Sequence, residues 1–118
     1  MNEKLHLLSE TIALYLFDLE SFIKSIKLNT GNHELFQTVS EMIIDLSTFT
    51  KELLLENSTN KTNLLKNIQE ISDLLLSKLK ELKCPSERFN EKADLLARTF
   101  LIWEHSGNLL SLVNPKNL

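Results

Sequence analysis

Glycine and proline are scarce in this chain, two of each among 118 residues. An all-β fold needs such residues at its many turns, so that class is excluded. Cysteine occurs once, as Cys84, so the chain has no internal disulfide and no dependence on an oxidising compartment. No uninterrupted apolar run approaches the roughly 20 residues that cross a bilayer as a helix, and no membrane span is expected. Excess positive charge is missing too: 13 basic residues stand against 16 acidic ones, for a net charge of −3. Such a chain has no bulk attraction for a phosphate backbone. The lysines of the third segment (Lys61, Lys66, Lys78, Lys80, Lys83) alternate with Glu70, Asp73 and Glu81, so no local basic patch makes up for it. Nucleic acid is not an expected partner. Glu10 and Asp18 interrupt the apolar character of the N-terminal segment and no small-residue cleavage site follows, which reads against a signal peptide and for a cytoplasmic location. The acceptor patterns at Asn57-Ser58-Thr59 and Asn60-Lys61-Thr62 then read as chance matches.

What the chain has is apolar residues at alternating steps of three and four, in four segments with short polar breaks. Leu5, Leu8, Ile12, Tyr15, Leu19, Phe22 and Ile26 form the first line; Leu35, Val39, Met42, Leu46, Phe49 and Leu53 the second. Leu64, Ile68, Ile71, Leu75, Leu79 and Leu82 form the third, and Phe89, Ala93, Leu96, Phe100, Trp103, Gly107 and Leu110 the fourth. A helix of 3.6 residues per turn lays each line along one face, which must find a partner to leave water. The spacing predicts helices over about 3–28, 33–56, 61–83 and 86–112. Gly31 suits a left-handed cap after the first helix and Asn32 an N-cap for the second. The hydroxyl and amide cluster 57–60 reads as a turn plus N-cap. Cys84-Pro85 ends the third helix, because the residue before proline leaves helical geometry. Ser86 and Cys84 are both candidates to cap the fourth, and Asn114-Pro115 stops it. Three short connections force successive helices antiparallel, so the expectation is one domain, 1–118, folded as an all-α, up-down-up-down four-helix bundle. Glu20–Lys24 and Asp94–Arg98 offer surface support at i, i+4.

Two helices carry a second apolar line. Leu7, Leu14 and Leu28 recur at multiples of seven in the first, near Phe17; Leu95, Ile102 and Leu109 do so in the fourth, followed by Val113. Residues seven apart return to nearly the same angle. In an up-down-up-down bundle the first and fourth helices are neighbours, so the two lines would border one exposed surface. Leu7, Leu14, Phe17, Leu95, Ile102 and Leu109 are the expected contact residues for a protein partner or a second copy.

Residues with chemistry are few. A lone Glu-x-x-His, Glu3 and His6, lacks the second such unit and the inward carboxylates that a di-metal bundle needs, and Glu104 near the inner edge of the last helix is an isolated carboxylate, so no metal or cofactor is expected. Cys84 has no His or Cys nearby in sequence and reads as packing. The hydroxyls of the second helix (Thr38, Ser40, Ser47, Thr48, Thr50) have no histidine partner. Trp103 falls on the core line; Gly107 either lets a helix approach closely or marks a break at His105–Asn108. One pairing stands out. Arg98 and His105 are seven apart, and an Arg followed by His after six residues resembles the motif of HEPN-domain nucleases, with Thr99 in the place of that family's polar residue. The resemblance implies an all-helical dimer in which the arginine steadies an RNA phosphodiester while the histidine moves a proton. The first reading is a protein-binding helical bundle of the chaperone, immunity or adaptor kind, without catalysis of its own; the alternative is a HEPN-like ribonuclease, or a degenerate relative, using Arg98 and His105.

Overall fold

The computed structural model describes residues 2–26, 33–55 and 60–113. Among the described residues four helices follow one another, α1 (Asn2–Ile26), α2 (His33–Leu53), α3 (Lys61–Glu81) and α4 (Phe89–Val113), with a 3₁₀ turn, Ser86–Arg88, leading into α4. They form an antiparallel four-helix bundle, a rod of 46 × 22 × 21 Å. Each helix packs on its sequence neighbour and α1 closes the ring against α4; α3 and α4 are the most tightly apposed pair. Among the described residues no helix is long and apolar enough to cross a membrane.

The ends of the helices depart from expectation by a turn or less. α2 ends at Leu53 rather than 56. α3 ends at Glu81, ahead of Cys84-Pro85, because Leu82 is extended (φ −66, ψ 129) and buried. A cation then completes that end: Lys92 Nζ, from α4, donates to the carbonyls of Lys80 (3.2 Å) and Leu82 (2.5 Å), where the helix dipole is negative. Pro85, not Ser86 or Cys84, occupies the N-cap position of the 3₁₀ turn, and no side chain caps it. Asn60 sits at the N-cap of α3, but its Oδ1 accepts from Asn63 Nδ2 instead of a backbone N–H. The expected caps at Gly31 and Asn32, and the stop at Asn114-Pro115, lie outside the described residues.

In α1 all seven residues of the first apolar line are buried, joined by Leu16 and Ile23. The lines of α2 and α3 are likewise inside or packed against the core. In α4 the expected core line is wrong by a rotation. Its inner face is Leu95, Thr99, Ile102, Ser106 and Leu109, all buried. The line that includes Phe89, Leu96, Phe100, Trp103, Gly107 and Leu110 lies on a flank; its Phe89 and Phe100 are exposed, and Leu96, Trp103 and Leu110 are half-buried. Thr99 and Ser106 read as polar in sequence, yet each hydroxyl donates to the carbonyl four residues back (Leu95, 2.6 Å; Ile102, 2.5 Å). A hydroxyl satisfied this way enters a core at little cost.

Helix α4 runs unbroken through His105–Asn108. A Cβ on Gly107 would lie 2.6 Å from Gln69 Nε2 of α3, the mobile tip of a long side chain. Alanine is better than glycine in a helix interior by about 1 kcal/mol. Gly107→Ala is therefore expected to displace the Gln69 amide and stabilise the bundle by about 0.5 kcal/mol, read as a raised urea midpoint with unchanged slope.

Candidate functional site

The antiparallel pairing of α1 and α4 leaves two separate hollows along its seam, with no lining residue in common and of different chemistry, which together make the two halves of the α1/α4 groove. The first half, near the start of α1 and the end of α4, is apolar and holds about 360 Å³. Leu8 and Leu109 form its floor, Leu7 one wall, and Leu101 and Leu112 the other, with Thr11, His105, Asn108 and Lys4 around them. Leu7 is 64% exposed, Leu101 45% and Leu112 53%. Farther along α1, Leu14 (67%) and Phe17 (72%) also face water.

The second half is charged, with Phe22 and Leu95 beneath Asp18, Arg88, Glu91, Asp94 and Arg98. Arg88 grips Glu91 with two hydrogen bonds, 2.7 and 2.8 Å, and its guanidinium lies 5.1 Å from the centre of the Phe22 ring. Those bonds hold the Glu91 carboxyl below its ordinary range and raise the arginine's. Arg98 donates to Asp18 across the helix pair at 2.7 Å and lies 3.6 Å from Asp94. It also sits over the Tyr15 ring, 5.8 Å from its centre. Under this arginine, the Tyr15 hydroxyl meets Thr99 Oγ1 at 2.6 Å in the core. Because Thr99 donates to Leu95, the tyrosine is the donor of that bond.

The sequence-predicted residues therefore separate. Leu7, Leu14 and Phe17 form an exposed line on α1. Leu95, Ile102 and Leu109 do not form its counterpart; they are 4%, 0% and 5% exposed, enclosed by this chain's own helices. Leu28 and the Val113 side chain lie outside the described residues. Leu101 and Leu112 take the place on the α4 side, and sequence spacing alone gave no reason to select them. Arg98 and His105 share the flank of α4 toward α1, but they line different halves of the groove. The Arg98 charge is already matched by Asp18 and Asp94, two carboxylates that would repel a phosphodiester, and Thr99 is a core residue. The i, i+4 pair Glu20–Lys24 is present at 2.8 Å.

Other polar clusters are sparse. Among the described residues no group of three or more His, Cys, Asp or Glu side chains could hold a metal ion; Glu3, His6 and Glu104 are exposed. Cys84 is a half-buried free thiol packed against the core at the α3–α4 connection. Between α1 and α2 a cleft of about 350 Å³ is lined by His6, Ser9, Glu10, Ser47, Thr50 and Lys51 over Ile12 and Leu16. The buried Ser9 hydroxyl has no hydrogen-bond partner among the described residues, while Thr50 and Thr38 donate to their own helix. Compared with models of known protein families, with curated proteins and with solved structures, the chain matches none.

Proposed function

We propose that this chain is a protein-binding helical bundle without catalysis of its own, and that the α1/α4 groove is its contact surface. The observation that carries the reading is the set Leu7, Leu14, Leu101 and Leu112, which stays in water although the core is complete without it. Burying an exposed leucine fully is worth roughly 1.5–3 kcal/mol. These four are already partly covered, so a partner would gain about 4 kcal/mol from them together. Contact through matched lines on α1 and α4, as read from the sequence, is replaced by contact through one groove, since the α4 line belongs to the core.

The test is a paired capture experiment. Leu7→Glu with Leu101→Glu changes only exposed positions, so the double variant is expected to keep wild-type helicity and to melt within about 3 °C of wild type. Proteins retained from native lysate by the wild-type chain are expected to bind the double variant at least about tenfold more weakly, about 1.4 kcal/mol. Equal retention by both overturns the reading. So does RNA cleavage by the wild-type chain that His105→Ala abolishes, which would establish the nuclease instead.

A further inference from the structure

The two halves of the groove constrain what could lie in it. Along α1, Leu7 and Asp18 are eleven residues apart, about 16 Å or three helical turns. Over that length the α1/α4 seam passes from the leucine-walled hollow to the charged one, with the Arg98–Asp18 bond crossing it. In the charged half the arginines lie low: the side chains of Arg88 and Arg98 are about a quarter exposed, while those of Asp18, Glu91 and Asp94 are more than half exposed. Three carboxylates against two guanidiniums leave a formal −1 here, and it is the negative groups that reach solvent. Asp94 is the least engaged among the described residues, where its ion-pair contact is to Arg98 at 3.6 Å. Among the described residues that line the apolar end, the formal charge is the cation of Lys4.

Resting on the protein-binding reading, we infer that the occupant of the α1/α4 groove is a single amphipathic helix of another protein, with about three turns of apolar face and a basic end set against Asp18, Glu91 and Asp94. A helix is convex and fits between the walls of Leu7 and Leu101 to reach the floor at Leu8 and Leu109, as in helix-in-groove recognition. Two copies of the groove meeting about a twofold axis would oppose one concavity to another and leave both floors untouched. The charge gradient fixes which end of the guest lies where: cations at the carboxylates, an acidic first turn at Lys4. Such complementarity governs register and specificity more than raw affinity.

The probe is a labelled four-turn peptide with glutamate in its first turn, leucines at i, i+3, i+4 and i+7 steps, and two lysines in its last turn; the control has glutamates in place of those lysines. Measured by fluorescence anisotropy at low salt, the lysine peptide is expected to bind about tenfold more tightly, with a ratio that shrinks as salt rises. Asp94→Lys, at an exposed position, is expected to remove most of that preference while helicity is unchanged. The Leu7→Glu, Leu101→Glu variant is expected to bind neither peptide. Equal affinity for the two peptides, or a preference that survives Asp94→Lys, overturns the inference and leaves the protein-binding reading standing. A doubled mass in sedimentation that Leu7→Glu returns to a monomer assigns the groove to a second copy and also overturns it. If neither peptide binds and the paired capture shows no difference, both fail together.

Discussion

Ile102→Glu is expected to leave the chain without a stable folded state at room temperature, while Leu14→Glu keeps wild-type helicity and melts within about 3 °C of wild type. The two positions looked equivalent as members of heptad-spaced lines. Ile102 is completely buried between Leu95, Leu109 and the facing helices, whereas Leu14 is two-thirds exposed. A carboxylate at 102 loses the transfer energy of the isoleucine and places an ionisable group where nothing can pair with it. The sum of those terms exceeds about 5 kcal/mol, which is comparable with the whole stability of an ordinary domain, about 5–15 kcal/mol. Far-ultraviolet circular dichroism reads helicity, and the fluorescence of Trp103, the one tryptophan, reads packing of the α4 flank. A helical, cooperatively melting Ile102→Glu variant would show that α4 is rotated from the orientation described.

The second large effect is alkaline. Tyr15 is the one tyrosine of the chain, fully buried, and burial pushes its hydroxyl up from 10.0 to about 12, against smaller opposing effects of the Thr99 hydrogen bond and the Arg98 charge. Below the unfolded value near 10 both states keep the proton and the tyrosine contributes no pH dependence. Between 10 and 12 the unfolded chain ionises while the folded one does not, so the folded state binds more protons and stability falls as pH rises. Two units correspond to a loss of about 3 kcal/mol, complete only above pH 12. Urea denaturation of the wild type is expected to show this fall between pH 9 and 12, roughly the window set by those two values. Tyr15→Phe keeps the ring, has no proton to lose, and gives up only a hydrogen bond worth about 1 kcal/mol at neutral pH. Its stability profile is expected to be flatter by the same 3 kcal/mol, with phenolate absorbance marking the transition in the wild type. Parallel profiles for the two chains would mean that the Tyr15 hydroxyl is open to solvent.

Both expectations turn on how α4 is rotated, which periodicity could not decide. In α1 one line is wholly apolar from Leu5 to Ile26, and only one way of facing inward buries it. In α4 two lines compete. One joins Phe89, Leu96, Phe100 and Trp103; the other joins Leu95, Ile102 and Leu109 through Thr99 and Ser106. Judged by side-chain polarity the first line looks better. The structure buries the second, because the two hydroxyls bond their own backbone and their small size suits the closely packed centre. The rejected aromatics remain on the flank, where the Phe100 and Trp103 rings lie 5.6 Å apart.

The groove follows from that rotation. Leu7, Leu14 and Phe17 were legible as a surplus line on α1, since the face opposite a complete core line must point outward. Leu101 and Leu112 were not, because they belong to no clear repeat and share a surface with Leu7 only once α1 and α4 lie side by side. The bond from Arg98 to Asp18 was hidden for the same reason: sequence showed the local pair with Asp94, and the shorter contact spans 80 positions.

Helix number, their order and their antiparallel course are written in this chain itself, because 3.6-residue spacing and short polar breaks act within a few turns of each segment. Which face of α4 turns inward, and therefore which leucines line the outer groove, was decided only when four helices competed for one interior. That competition depends on size, hydroxyl satisfaction and fit across helices, quantities that no single helix contains.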